Sequence, residues 1–214
     1  MRKTATLLAL LCLLGFFGAV YGAQTPTTAE GYFSLAHEAF QKGDLDAVIF
    51  NCRMAISMKP QFVDAHYMLG RAYLLTAAKK NDLAIKKFGN NPPETRYLKQ
   101  YIKGRSELAK AIQHFSKALE LNPGDIDAKL NLAIAQDNLG KDDEAEKNYE
   151  AVIKSDPMST QARDAYNNLG VFYAAKKEFK KAKKMYEKAI ELDPNFPPAR
   201  LNLQRLLSLK PDLK

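Results

Sequence analysis

The chain of 214 residues is poor in cysteine, with only Cys12 and Cys52. Cys12 falls in an apolar N-terminal run, so Cys52 is the one cysteine in the rest of the chain. A single cysteine cannot form an internal disulfide, which excludes the small disulfide-stapled secreted folds. We expect Cys52 to be a small buried hydrophobic residue instead of a reactive thiol.

Motifs for catalysis and metal binding are also absent from the sequence. His37, His66 and His114 are widely separated, and neither an H-x-x-x-H nor a C-x-x-C spacing occurs. No G-x-S-x-G, P-loop or dinucleotide glycine motif is present, and the acidic residues are scattered without an obvious pair. We therefore expect a protein that is not an enzyme and uses neither a cofactor nor a metal, with a structural role for His66.

The N-terminus has the features of a targeting segment. A basic tripeptide is followed by an uncharged run from Thr4 to Val20 and then by two small residues, Gly22 and Ala23. This pattern predicts a cleaved signal peptide over residues 1–23 and a polar leader over residues 24–28. An uncleaved membrane anchor is the alternative, although the run is slightly short for a span of ~20 residues.

The remaining chain is organised by an internal repeat. Four segments end with the same spacing of a small or apolar residue, an aromatic or cysteine, an apolar residue and a proline. These sets are Val48, Cys52, Ala55, Pro60; Ala111, Phe115, Ala118, Pro123; Ala145, Tyr149, Val152, Pro157; and Ala182, Tyr186, Ala189, Pro194. Their prolines are 63, 34 and 37 residues apart, and the small residues Ala36, Gly70, Ala133 and Gly170 of the preceding segments are 34, 63 and 37 apart. The unit is 34 residues long, with 29 residues inserted in the second copy.

These residues carry a family resemblance. Unit four matches a W-x2-L-G-x2-Y, A-x3-F, P type of pattern through Tyr166, Leu169, Gly170, Tyr173, Ala182, Tyr186 and Pro194. The chain resembles the tetratricopeptide repeat family over about residues 29–209, with departures at Ala36 and Ala39 in unit one and at Ala133 and Gln136 in unit three. The resemblance implies an all-α, right-handed α-solenoid of four helix pairs. We place the repeats at about 29–62, 63–125, 126–159 and 163–196, a capping helix at 198–209 and a tail at 210–214.

What the resemblance implies for function is the binding of a peptide or protein in a concave groove lined by the first helix of each pair. Many exported bacterial members resemble scaffolds for envelope assembly or secretion, so the bacterial periplasm is the expected location. The alternative is a membrane-tethered structural subunit of an envelope complex. A carboxylate clamp like that of chaperone-binding relatives would need basic residues where Phe33, Asp127 and Asp164 stand, so we do not expect that subtype.

Candidate groove residues follow from their offset to the small residue of each first helix. Two residues before it stand Met68, Asn131, Asn168 and Asn202, counting the capping helix in register. Stacked asparagines resemble the ladders by which some repeat proteins hold an extended peptide backbone, since each amide offers both donors and an acceptor. Arg71 and Arg205, one residue after the small position, are candidates to bind a carboxylate at either end. The alternative is that these asparagines are only tolerated on a solvated face.

The insertion at residues 77–105 is the second candidate site, and the spacing predicts an αα-hairpin extension there. It contains eight basic and two acidic residues, within a chain of net charge +8. With its aromatic side chains this segment suits an acidic partner or an anionic membrane surface, through Lys86, Lys87, Phe88, Arg96, Tyr97 and Tyr101. Alternatively, the lysines only keep a long hairpin soluble. We expect no nucleic acid partner, because the aromatic residues follow the repeat instead of interleaving with the basic ones.

Overall fold

The computed structural model describes residues 26–88 and 104–213, and within it the side chains of residues 82–88 are not described. These ranges contain α-helices joined by short turns, and no β-strand occurs in them. The helices are α1 Ala29–Gln41, α2 Leu45–Met58, α3 Val63–Phe88, α4 Arg105–Leu121, α5 Ile126–Leu139, α6 Asp142–Ser155, α7 Thr160–Ala175, α8 Phe179–Leu192 and α9 Pro197–Leu209, with a 3₁₀ turn at Pro211–Leu213.

Most first helices begin at a side chain that caps their free backbone N–H groups. Thr28 accepts a hydrogen bond from the Gly31 N–H at the start of α1, and Asp125 accepts one from the Ala128 N–H at the start of α5. Ser159 caps α7 in the same way, and α9 begins with a proline at its first position. These residues fix where each pair starts, because the first turn of a helix has N–H groups without a helical partner.

The turn inside each pair falls seven residues after the small position of the first helix. Gly43 and Gly140 occupy that place with φ of 73° and 84°, in the left-handed region that glycine adopts without cost. Unit four has Lys177 at this position with φ of 64°. Unit two has Ala77, and here the first helix does not turn but runs on to Phe88.

The helix α3 is therefore 26 residues long, whereas the other first helices have 13 to 16. Gly104, at the start of α4, lies directly against Ala77, since a Cβ built on this glycine would be 2.8 Å from the Ala77 Cα. Lys80 and Glu107 form an ion pair of 2.5 Å just beyond that contact. The two ends of the inserted segment thus meet, while residues 89–103 of the expected hairpin lie outside the described residues.

Close helix approach within a pair depends on the small residue of the first helix facing a large residue of the second. A Cβ on Gly70 would be 2.7 Å from two ring carbons of Phe115, and a Cβ on Gly170 would collide with the ring of Tyr186. In unit one the first helix has the larger Ala36 and the second helix the smaller Cys52, both with no exposed surface. In units one, two and four the sequence pattern therefore reflects a division of volume between the two helices, whereas unit three combines Ala133 with the large Tyr149.

The buried residues form one cluster centred on α1–α4 and another on α5–α8, with a small third cluster of Tyr32, Ala55 and Ala65. Cys52 belongs to the first cluster, and burial raises the pKa of its thiol to about 12, which confirms the expected hydrophobic role. The predicted all-α solenoid of stacked helix pairs is also confirmed. In the ranges the structure covers, no helix has both the length and the apolar character needed to cross a membrane.

Candidate functional site: a wall of first helices

The first helices α3, α5, α7 and α9 stack side by side, and α1 contacts α3 through Phe40 and Arg71; their shared surface is called the inner wall below. Its residues recur at three offsets from the small position, namely three before, two before and one after. Arg71, Asn131, Asn168, Asn202 and Arg205, which the sequence identified as candidates, all belong to these offsets. How they are connected depends on contacts between consecutive first helices.

At the N-terminal end of the wall an arginine is held between aromatic rings. The Arg71 guanidinium carbon lies 4.6 Å from the ring centroid of Phe40 on α1 and 5.7 Å from that of Tyr67 on its own helix. Within the described ranges Arg71 forms no salt bridge or hydrogen bond with another side chain, so its N–H groups are not used. A guanidinium positioned by two rings, with its donors free, is suited to bind a carboxylate or a peptide carbonyl.

Two of the hydrogen bonds between first helices share one register, whereas a third, from Gln161 Nε2 on α7 to Asp127 Oδ1 on α5, lies near the start of both helices. Tyr67, three residues before its small position, accepts a hydrogen bond of 3.3 Å from Asn131 Nδ2 on the next first helix. Asn167 has the same offset on α7, and its Oδ1 accepts a hydrogen bond of 3.0 Å from Asn202 Nδ2 on α9. Asn131 and Asn202 thus each bond to a polar residue on the preceding first helix. In both cases that residue stands three before the small position.

The intervening step from α5 to α7 lacks such a bond, because the corresponding residue is the buried Leu130. Asn168 accepts a weak hydrogen bond of 3.5 Å from Asn167, and its own Nδ2 donates to no described residue. The Nδ2 of Asn131 is occupied by Tyr67 and by the Asp127 carbonyl, while its Oδ1 accepts nothing from the described residues. The wall therefore offers a free donor at Asn168 and a free acceptor at Asn131, which matches the two groups of a peptide bond.

Apolar side chains also remain exposed at the wall registers. Val171 is 44% exposed and shares the register of Arg71, and Leu201 is 47% exposed and shares the register of Tyr67. Leu75, 43% exposed, lies one turn beyond Arg71 on α3. Alternating apolar and amide groups give the wall both contact area and backbone recognition.

The remaining candidate residues have different positions. Met68, at the asparagine register of unit two, is only 8% exposed and belongs to the core, so the asparagine row begins at Asn131. Arg205 is exposed on α9. The candidate docking residues of the insertion lie outside the residues whose side chains are described: Lys86, Lys87, Phe88, Arg96, Tyr97 and Tyr101.

Asn167 and Tyr67 are wall residues that the sequence did not identify. Asn167 is buried and bonds to both Asn168 and Asn202. The sequence did contain a signal for Asn167, namely its position next to Asn168 in a helix. Adjacent residues on a helix point in different directions, so the two asparagines cannot both face the same neighbour.

Two histidines that the sequence places 48 residues apart meet in unit two. His66 Nδ1 on α3 lies 3.1 Å from His114 Nδ1 on α4, and His66 Nε2 lies 3.0 Å from the Pro60 carbonyl oxygen. The ring of Tyr73 stacks on His114 at 5.8 Å. No cluster of three or more metal-ligating side chains occurs in the part of the chain that the structure describes. His66 thus has the structural role that the sequence predicted, with a partner that it did not.

The stacked pairs and the inner wall define a helical repeat protein of the kind that binds other proteins. Residues 104–169 and 164–196 match two models of the tetratricopeptide repeat. The chain belongs to the tetratricopeptide repeat family, as its sequence pattern indicated.

Curated relatives share parts of the sequence. Hsp70-Hsp90 organizing protein 3 of Arabidopsis thaliana is 33% identical over 84 residues, which are 39% of this chain and 14% of that protein. Human protein O-mannosyl-transferase TMTC3 is 30% identical over 167 residues, 73% of this chain and 18% of that protein. The chain therefore spans less than a fifth of either relative.

Solved structures share the fold at low identity. MamA from Desulfovibrio magneticus RS-1, residues 41 to the end, superposes with a TM-score of 0.65 at 17% identity, covering 89% of both chains. A thermophilic tetratricopeptide repeat protein of Thermus thermophilus gives a TM-score of 0.62 at 18% identity, covering 97% of both chains. At this level of identity, the similarity to both structures shows a shared fold and nothing about function.

Proposed function

We propose that this chain is an exported scaffold whose inner wall binds an extended segment of a partner protein. The observation that carries the proposal is the complementary pair of free amide groups, the Nδ2 of Asn168 and the Oδ1 of Asn131. A segment lying across α5 and α7 would accept a hydrogen bond at a carbonyl and donate one at an N–H. This recognition is independent of the partner's side chains.

The two ends of the wall add selectivity. At the N-terminal end, Arg71 has free donors for a carboxylate, and its position between Phe40 and Tyr67 reduces the side-chain entropy lost on binding. The exposed Val171 and Leu201 favour apolar side chains in the part of the segment near α7 and α9. The proposed partner segment therefore has an acidic group toward α1–α3 and apolar residues toward α9.

The wall is tested by capturing partners from an envelope extract with immobilised wild-type chain and with variants. The triple variant Asn131→Ala, Asn168→Ala, Asn202→Ala should retain its helicity and lose the proteins that the wild type retains. Because the side chain of Asn168 makes only one weak hydrogen bond of 3.5 Å with described residues, Asn168→Ala alone should weaken capture with little change in stability. Asn195→Ala, in an exposed turn, is the matched control. Unchanged capture by the triple variant would refute the asparagine wall.

Export and envelope location are the second part of the proposal, and they rest on the N-terminal sequence from Met1 to Ala23. N-terminal sequencing of the protein recovered from an expressing bacterium tests it. A mature N-terminus close to Ala23 or Gln24 supports cleavage and release. An intact Met1 in the membrane fraction would support the tethered alternative instead.

A further inference from the structure

A second site lies away from the inner wall, in a pocket between α2, α3 and α4. Its volume is about 250 Å³, and it is lined by Arg53, Ile56, Ser57, Leu69, Tyr73 and His114. This volume is below the ~300–1,000 Å³ of ordinary small-molecule sites, so the pocket suits a single side chain better than a whole ligand. Since α2 and α4 are second helices, a partner can reach it without occupying the wall.

Hydrogen bonding in the histidine pair determines what His114 offers to this pocket. The Pro60 carbonyl can only accept, so His66 Nε2 carries the proton and, in the neutral ring, His66 Nδ1 is the acceptor. His114 Nδ1 must then be the donor across the 3.1 Å contact. The remaining nitrogen, His114 Nε2, has no proton and accepts from no described residue. It is not fully buried. The pocket therefore presents an accessible ring nitrogen that can only accept.

His114 stays in this neutral form because it is partly buried. Burial, together with the positive charge of Arg53 and the neighbouring His66, lowers the pKa of His114 from 6.5 to about 4. Tyr73, Arg53 and Lys110 are the other titratable groups around the ring. A neutral acceptor at His114 favours groups that donate a hydrogen bond over carboxylates.

The rim of the pocket is cationic. Arg53 is exposed, and the Lys110 ammonium lies 5.3 Å from the Tyr73 ring centroid. Neither is within 4.0 Å of a carboxylate in the ranges 26–88 and 104–213. If a partner inserts a side chain into the pocket, acidic residues on either side of it in the partner sequence would lie near Arg53 and Lys110.

The equivalent positions in other units lack this arrangement. Unit three has Gln136 and Asn148 where unit two has Tyr73 and His114, and the two amides hydrogen-bond to each other at 2.7 Å. Unit four has Tyr173 and Met185 at these positions. The free acceptor is therefore a property of unit two and is not required by the repeat.

We propose that this pocket binds a tryptophan side chain from an acidic segment of a partner protein, with the indole N–H donating to His114 Nε2. Indole is a donor only, which matches an acceptor that cannot donate, whereas a tyrosine hydroxyl does both. The indole ring would pack on Ile56, Leu69 and Tyr73. Tryptophan is also a common anchor of protein interfaces.

The test uses the full chain and short synthetic peptides in which one aromatic residue is flanked by acidic residues. The chain contains no tryptophan, so indole fluorescence reports the peptide alone. We expect saturable binding with a blue shift, and an affinity roughly tenfold lower when phenylalanine replaces tryptophan, measured by competition. Equal affinity for the two peptides, or for a tyrosine peptide, would overturn the assignment.

Variants locate the interaction. His114→Phe keeps an aromatic ring but removes the acceptor and should weaken the tryptophan peptide roughly tenfold without affecting the phenylalanine peptide, while His114→Gln, which retains an acceptor, should restore binding. Arg53→Glu, on the surface, should weaken both acidic peptides relative to the exposed control Lys180→Glu. Unchanged binding by both His114→Phe and Arg53→Glu would refute the site, and circular dichroism verifies that each variant is folded.

Discussion

The fit between Gly70 and Phe115 is open to a quantitative test. Gly70→Ala has two opposing effects on the free energy of unfolding. Alanine is about 1 kcal/mol better than glycine inside a helix. The new methyl group, however, would be 2.7 Å from two carbons of a ring that has no exposed surface and lies 6.0 Å from the ring of Tyr67. Overpacking of this kind costs about 1–3 kcal/mol, so we expect a net loss of about 1 kcal/mol.

A double-mutant cycle separates the two effects. Phe115→Leu alone should destabilise by leaving a cavity, but in combination with Gly70→Ala the methyl group gains room, so the two losses should not add. We expect a coupling of about 1–2 kcal/mol, well above the ~0.5 kcal/mol within which independent sites add. Urea unfolding followed by far-UV circular dichroism measures it. Gly124→Ala, where the nearest atom would be 3.7 Å away, is the control. Additive losses would refute the proposed division of volume.

Three further predictions concern the turn, the histidine pair and the insertion. Lys177→Gly should stabilise the chain by about 1 kcal/mol, because it relieves a positive φ, whereas Gly140→Ala at the equivalent turn should destabilise it; thermal unfolding compares them. Since the folded-state pKa of His114 is depressed to about 4, its contribution to stability is present above pH 6.5 and is lost as pH falls from 6.5 to 4. For a partly exposed ring this amounts to about 1–2 kcal/mol, and His114→Phe should flatten that part of the urea-stability profile against pH. Deletion of residues 83–102 should leave a cooperative thermal transition, since Ala77 and Gly104 are in contact without it; loss of the transition would show that the insertion belongs to the core.

The repeat was predictable from the sequence because buried positions within a pair follow the helical period. The spacing of Gly170, Tyr186 and Pro194 identifies which residues one helix buries against its neighbour, and Pro and Gly mark the turns. Even the site of the insertion follows, since Ala77 stands where other units have a residue with positive φ.

Contacts between units were not predictable in the same way. Whether Asn202 meets Asn167 or Asn168 depends on how far each pair rotates relative to the next, and this rotation is set by the packing of many small residues at once. The pair of His66 and His114 was missed for a related reason, because it joins a packing position of the first helix to a position of the second that carries no repeat signal. The positions of Asn131, Asn168 and Asn202 were identified from their register in the repeat. Which of their amide groups are already hydrogen-bonded could be seen only in the structure.

The contact between Ala77 and Gly104 has a consequence for engineering. Because the chain leaves and re-enters the solenoid at one point, the length of whatever lies between is only weakly coupled to the stability of the repeats, as closure entropy grows slowly with loop length. This junction is a natural graft site. A reporter domain or a foreign epitope whose termini are close together could replace the native segment, giving a modular protein that carries the insert on one unit.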